Sequence, residues 1–467
     1  MPYHARPAQV ASHIGCVVAI FLAHGFALAV CADAPPHASD WPRFAGPRGD
    51  GTSSERGLLR TWPKEGPPVA WRVSIKQGWN CPTVVGDDIY LAWSQEPRGT
   101  AETVACLDAK TGEERWHHTY DVGPYWQRNI GWAKGGFRAT PVVDGDQLYT
   151  LGAIGHLFCF QRKTGKILWQ KNLWDETIPS GEKGYVFSPI VEDGKLILWY
   201  SDGARDVTEE DKRFVLCRAL DAKTGTRVWE FREPHREPAR MGEGQTPTVA
   251  NFNGDKCLLV TANCQLKAIR VRDGKEVWKF DCVKPDGRGT TIPSPLVVDK
   301  YIVNIPDLDF THAVEVDRSR PDFPSKIAWK KDIFIFTAIH QFRHHAGYLY
   351  GFTGDIQGAS EQHASNSILK LSCVELATGK VMWSEPNFKT GVSLIEADGL
   401  LFVRSYQTLR LVEATHEGYR ERGRIKTHDV WKPTVNLTDL VMPVLSRGKL
   451  YVRTPEELIC YDVSGKQ

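Results

Sequence analysis

Three histidines crowd into HQFRHH, His340 to His345, shortly after Asp307, Asp309 and His312 in the stretch IPDLDFTHAVEVDRSRPDF. Imidazole and carboxylate groups are the donors that zinc or manganese takes. A helical metal site repeats its ligands one turn apart, and neither H-x-x-x-H nor any other metal-binding spacing occurs here. The stretch reads as a polar surface loop, and no metal ligand and no catalytic residue is assigned.

A second group has the chemistry of an anion site. Trp79, Asn80, Arg138, Gln245, Thr291, Arg343, His344, Thr390 and Asp439 each stand just ahead of an apolar run, and several of these runs open with proline. A guanidinium presents a planar fork of donors that fits a carboxylate, so Arg138 and Arg343 are the candidate anion ligands. Positions so far apart in the chain can meet only if the fold repeats.

The chain does repeat. LDAKTGEERW at Leu107 returns as FQRKTGKILW at Phe160, LDAKTGTRVW at Leu220, VRDGKEVW at Val271 and LATGKVMW at Leu376. Trp116, Trp169, Trp229, Trp278, Trp329 and Trp383 follow one another at intervals of 53, 60, 49, 51 and 54 residues. A separate phrase marks the other end of each unit: CPTVVGDDIY at Cys81, TPVVDGDQLY at Thr140, SPIVEDGKLI at Ser188, TPTVANFNGD at Thr246, SPLVVDKYIV at Ser294 and MPVLSRGKLY at Met442, with weaker copies at His345 and Ser393. Each unit reads as four strands, with hairpins at Gly-Asp or Asp-Gly and a tight turn at Thr-Gly where glycine takes positive φ.

A four-stranded unit of about fifty residues is a β-propeller blade, which cannot bury both faces of its sheet alone and so stacks around an axis. Eight units predict an all-β, eight-bladed propeller. The last unit ends at Ser464-Gly465-Lys466 without its tryptophan, while PPVAWRVS supplies Trp71 on a strand with no unit of its own. An N-terminal strand is therefore expected to complete the last blade and close the ring. The tryptophans at 71, 116, 169, 229, 278, 329 and 383 are expected to fill the wedges between blades. The polar residues ahead of the first strands are expected to converge on one mouth of the axial channel.

Composition agrees with this reading. The 467 residues are 42% hydrophobic, with 41 glycines, 28 prolines and 16 tryptophans, a mixture that suits short strands and turns. A net charge of +2 without long single-sign blocks excludes a nucleic-acid binder. Of the 11 cysteines, nine follow Ala34, and an odd number argues against a complete disulfide framework. Cys106, Cys159, Cys217 and Cys460 read as small buried residues in equivalent strands.

The N-terminus reads as a secretory signal over residues 1–34. A start containing Arg6 leads to the apolar run Ile14 to Val30 and then to CADA, with cleavage near Ala32 or Ala34. An uncleaved anchor, or a lipid on Cys31, is the alternative. Residues 35–68 form a lead-in and residues 69–467 the propeller. The chain is expected to be exported, to the periplasm or cell envelope.

The run A-K-T-G-x-x-x-W, at Ala109 to Trp116 and again at Ala222 to Trp229, resembles the tryptophan-docking motif of pyrroloquinoline-quinone (PQQ) propeller repeats. The lead-in from Trp41 resembles that of exported PQQ-like repeat proteins. The resemblance implies two kinds of relative, quinoprotein alcohol dehydrogenases and the non-enzymatic propeller subunit of outer-membrane barrel assembly. The dehydrogenases hold PQQ between a tryptophan and a vicinal disulfide, with calcium beside it, and this chain has no adjacent cysteine pair. The expected function is a non-catalytic scaffold that binds a protein or peptide partner, without a cofactor. The alternatives are a PQQ-dependent dehydrogenase using a divalent cation, or a binder of a small anion or an envelope glycan.

Overall fold

The computed structural model describes residues 39–95, 100–123, 137–175, 184–202, 214–234, 245–282, 294–307, 310–331, 342–353, 368–389, 391–428 and 441–465. The expected signal at 1–34 lies outside them.

The blade containing LDAKTGTRVW shows how the local sequence builds each unit. Ile190–Glu192 turns at Asp193 and Gly194, whose φ values of 49° and 68° give a tight primed hairpin, and Lys195–Asp202 returns beside it. Phe214–Asp221 and Arg227–Pro234 add the third and fourth strands. Between them the Asp221 carboxylate accepts from the Lys223 and Thr224 amides at 3.0 and 2.9 Å, and Gly225 closes the turn by donating to the Asp221 carbonyl at 2.8 Å with φ 70°. The recurring Asp, Thr and Gly are thus one turn.

Eight such sheets form the fold expected from the sequence. Blade 1 runs from Thr83–Val85 to Glu114–Asp121, blade 2 from Val142–Asp144 to Lys166–Asn172, and blade 3 is the one just described. Blade 4 runs from Thr248–Phe252 to Glu276–Asp281, blade 5 from Leu296–Val298 to Ser325–Lys331, and blade 6 from Arg343–His345 to Val381–Lys389. Blade 7 runs from Val392–Ala397 to Glu421–Lys426, and blade 8 from Val444–Ser446 to Glu457–Asp462. First strands of neighbouring blades lie against one another around the axis. Val69–Ser74, which carries Trp71, pairs antiparallel with Glu457–Asp462, so the N-terminus closes blade 8.

In every blade but the seventh, the fourth strand reaches the next blade through its tryptophan. The indole N–H groups of Trp71, Trp116, Trp169, Trp229, Trp329 and Trp383 donate to carbonyls of Ala109, Arg162, Ala222, Val271, Leu376 and Thr415 at 2.7 to 3.1 Å, and Trp278 donates to the Ser325 hydroxyl at 3.0 Å. For Trp71, Trp116, Trp169, Trp229 and Trp329 the ring lies on the turn glycine of that next blade: a Cβ on Gly225 would stand 2.8 Å from Trp169, and one on Gly274 2.6 Å from Trp229. Glycine is therefore demanded twice, by φ and by the indole.

The residue across from the indole is small: Cys106, Cys159, Cys373 and Cys460 face Trp116, Trp169, Trp383 and Trp71, and alanine takes that place in blades 3, 4 and 5. Cys217 departs from the equivalence read in the sequence, since it pairs with Phe231 while Ala219 faces Trp229. In all eight blades the register slips just before this position, a bulge that twists the outer edge.

Blade 7 has Gly423 where the others have tryptophan. The lead-in supplies the missing ring. Trp62 is 5% exposed, its amide donates to the Arg422 carbonyl at 2.9 Å, and a Cβ on Gly423 would stand 2.5 Å from the Trp62 Cβ. Trp169→Ala or Trp229→Ala should cost about 3–5 kcal/mol in chemical denaturation, as buried aromatic truncations do, and Trp62→Ala should fall in the same range. A loss below about 1 kcal/mol would show that these rings carry little of the packing between blades.

Candidate functional site

The axis is the one place that all eight repeats approach, and the chain fills part of it with its own lead-in. Trp41 is fully buried and bridges Val84 of blade 1 through backbone bonds of 2.7 and 2.9 Å. The Pro42 carbonyl accepts from Val143 of blade 2, and Arg43 pairs with Glu192 of blade 3 at 2.9 Å. Thr52–Ser53 then adds a parallel strand inside blade 7, against Glu396 and Ala397. Glu55 accepts from the Arg447 and Gly448 amides of blade 8, both at 2.6 Å, and burial, the largest influence on it, raises its pKa. Read from the sequence as a segment ahead of the ring, the lead-in is built into it. A narrow cleft with room for about 10 Å³ remains beside it, lined by Arg43, Phe44, Arg48, Ile190, Thr248 and Ser294 among others.

Toward the start of the first strands, the repeated Thr-Pro and Ser-Pro pairs knit neighbouring blades together. The Cys81 amide donates to the Thr140 hydroxyl at 3.1 Å, the Thr140 amide to Ser188 at 2.9 Å, and the Ser188 amide to Thr246 at 3.1 Å. Thr83 and Thr248 donate across to the carbonyls of Pro141 and Pro295, both at 2.6 Å. A hydroxyl ahead of proline therefore acts as an inter-blade tie.

Several of the expected anion ligands are engaged by the protein's own groups. Trp79, Asn80 and Arg138 come together: the Trp79 amide donates to Phe137 at 2.8 Å, and the Arg138 guanidinium lies 4.2 Å over the Trp79 ring. Asn80 is fully buried, donates to the Ala92 carbonyl at 2.7 Å and accepts from Arg453 at 2.8 Å. Gln245, also fully buried, accepts from the Thr261 amide at 2.8 Å within blade 4. Arg343 is 1% exposed, bonded to the Leu394 carbonyl at 2.9 Å and the Phe342 carbonyl at 3.0 Å, with Met442 Sδ also at 3.0 Å, and Cys81, next to Asn80, is among the groups acting on it. It passes directly over Gly51, where a Cβ would stand 2.0 Å from its Nε. Burial pulls its pKa down to about 10.

His344 accepts from the Gly347 amide at 3.1 Å, burial lowers its pKa, and His345 pairs with Glu396 at 3.0 Å. Thr291, Thr390 and Asp439 lie outside the described residues.

Arg404 and Arg453 belong to this axial layer and escaped the sequence reading. Arg404, on the second strand of blade 7, donates to the Arg453 carbonyl of blade 8 at 2.7 Å. Arg453 in turn donates to Asn80 and to the Lys76 carbonyl of the segment entering blade 1, the latter at 3.1 Å. Both are fully buried, and burial brings Arg453 down to about 9. The two arginines carry the ring contact from blade 7 through blade 8 to blade 1. Their signal was an arginine at the same point of two successive second strands, LLFVRS and KLYVR.

Of the histidine and carboxylate cluster, Asp309 lies outside the described residues and His312 is fully buried on Phe310–Val316, paired in register with Asn304 and Lys330. Among the described residues no group of three His, Cys, Asp or Glu side chains is placed to hold a metal ion. PQQ with a divalent cation needs such oxygen donors and an open flat slot at the axis. Thr390 and Asp439 lie outside the described residues, and among the described amides Asn80 accepts from the Arg453 guanidinium and Gln245 from the Thr261 amide.

Fold and axis together define an eight-bladed PQQ-type propeller. The chain belongs to the family described as outer membrane protein assembly factor BamB, whose pattern matches residues 100–350. It is 21% identical over 243 residues to the outer membrane protein assembly factor BamB of Moranella endobia, covering 50% of this chain and 54% of that one. The chain spans about half the length of the curated relatives it matches. Among solved structures, the quinohemoprotein alcohol dehydrogenase of Comamonas testosteroni superposes with a TM-score of 0.67 at 14% identity, over 92% of this chain and 81% of that one. BamB of Moraxella catarrhalis superposes at 0.57 and 12% identity, over 85% and 99%. At these identities the likeness is one of fold.

Burial, with the nearby Lys330 charge as a smaller influence, holds the His312 pKa down at about 4 against an ordinary 6.5. The unfolded chain takes up this proton below pH 6.5, whereas the folded chain does so only near pH 4. The stability is therefore complete above that window and is lost as pH falls through it, by roughly 3 kcal/mol at most. Urea midpoints for His312→Gln should lose this part of the acid sensitivity, and an unchanged pH profile would show that His312 does not set it.

Proposed function

We propose that the protein is an exported, non-catalytic propeller of the cell envelope that serves as a binding scaffold for a protein partner. The observation that carries this reading is the lead-in along the axis, where Trp41 to Ser53 lies on the first strands of blades 1, 2, 3 and 7. The family description and the relatives named as assembly factors support a scaffold over an enzyme. Export rests on the N-terminal sequence together with those relatives.

The partner engages the ring face or the rim. On the rim, Val69, Leu168, Val228, Ile327 and Val381 are each 43 to 48% exposed and sit on the outer strands of five different blades. They are single apolar contacts spaced around the circumference, flanked by charges, which suits a polar protein surface better than a lipid one.

Calorimetric titration of the purified protein with PQQ and calcium should show no binding at millimolar concentration, and no quinone absorbance should be retained after dialysis. Saturable uptake would overturn the scaffold reading in favour of the dehydrogenase, and uptake lost on Arg138→Gln would point to the anion reading. A photo-crosslinking residue at position 168 or 381, introduced in an exporting bacterium, should trap an envelope protein. Trapping of lipid alone would also count against the scaffold.

A further inference from the structure

Blade 4 holds two cysteines that stand apart from the others. Its second strand, Asp255–Ala262, turns through Asn263 and Cys264 into Gln265–Arg270, and its fourth strand, Glu276–Asp281, ends one residue before Cys282. Gln265 pairs directly with Asp281, so the next pair outward is Cys264 with Cys282. The Cys282 amide donates to the Cys264 carbonyl at 3.0 Å, which carries the ladder through that pair. The Gln265 side chain donates to the Asp281 carboxylate at 2.7 Å and holds the neighbouring pair in place.

We propose that Cys264 and Cys282 form a cross-strand disulfide that staples the third and fourth strands of blade 4. Opposed residues of an antiparallel pair have Cα atoms ~4.5 or ~5.5 Å apart, depending on the hydrogen-bonding position. Both separations lie inside the ~4.4–6.8 Å range that a disulfide spans; the two thiols are free in this structure, and Cys264 is among the groups acting on the Cys282 thiol.

The other described cysteines have no such partner. Cys106, Cys159, Cys373 and Cys460 lie between a tyrosine and an aromatic ring of their own sheets. Cys217 faces Trp199 and Phe231, Cys257 faces Ala250 and Arg270, and Cys81 lies beside Thr140 and Met442. Cys264 also occupies a turn position with φ 64°, where asparagine or glycine is usual and cysteine is strained.

The chemistry is thiol–disulfide exchange with a low-molecular-weight disulfide such as oxidised glutathione. One thiolate attacks that disulfide and releases one glutathione thiolate; the second cysteine, having lost its proton, attacks the mixed disulfide and releases the other. Two thiols lose two protons and two electrons, and one glutathione disulfide becomes two thiols. Burial at 7% and 5% exposure shields the finished bond from reductant, and it raises the Cys282 thiol to about 12. The bond therefore forms while the blade is still open, during folding.

The test refolds the full chain in a glutathione redox buffer and, in parallel, under full reduction. Each sample is quenched in acid, denatured, alkylated without reductant and mapped by mass spectrometry. The expected product is one linked peptide pair joining Cys264 to Cys282, two hydrogens lighter than the reduced pair, with the other cysteines alkylated. Cys264→Asn keeps a residue suited to the turn; it should make Cys282 fully alkylatable and remove the oxidant-dependent rise in thermal midpoint. Alkylation of both cysteines after oxidative refolding, or their linkage to other cysteines, would overturn the proposal.

Discussion

The contact on which this molecule depends is an indole resting on a glycine turn of the next blade. A four-stranded sheet leaves two apolar faces, and neither can be covered within the blade, so the third strands are fully buried only because a neighbour stands on each side. The tryptophan sets the distance between neighbours and its N–H fixes the register by finding one carbonyl. Everything else at that level follows from its size. A cysteine or alanine sits opposite, a glycine lies beneath, and a tyrosine of the second strand meets the ring edge at centroid distances near 6 Å, as in Tyr149 with Trp169.

The same constraint explains why the lead-in is structural. A closed ring of eight must satisfy eight such contacts, and blade 7 cannot supply its own because Gly423 stands where the indole would be. Trp62 fills that place, Leu58 bridges Ser464, and Val69–Ser74 completes blade 8, so one continuous segment closes both sides of the last seam. Farther from the rim, the same segment descends along the axis, with Trp41 and Arg43 on one side and Thr52 on the other. The segment that closes the ring thereby also lies against the inner strands of blades 1, 2, 3 and 7.

Electrostatics at the axis carries the same logic inward. Arg343, Arg404 and Arg453 are long side chains that reach from one blade to carbonyls of another, and burying a guanidinium is tolerable only when several acceptors replace water. Asn80 likewise ties the backbone at Ala92 and Phe137 to the Arg453 guanidinium, and Gln245 accepts from the Thr261 amide. Polarity at the described inner strands therefore serves cohesion between blades.

Fold, blade number and closure were legible in the sequence because they rest on short-range patterns repeated many times. The Thr-Gly turn, the proline-opened strand and the tryptophan each report a local geometry, and the period converts them into a ring. The orphan Trp71 strand and the tryptophan-less last unit called for one another by simple counting. What a polar residue ahead of a strand does is a different matter, since its partner comes from a neighbouring blade or from a segment hundreds of residues away. Asn80 meets Arg453, and Arg343 passes over Gly51, through contacts that no local pattern encodes. Sequence by itself determined the periodic part, which depends on what each unit does to its own chain. Only the tertiary structure decided that the lead-in enters the axis and that the axial side chains bind backbone, because those contacts exist only once the ring has closed.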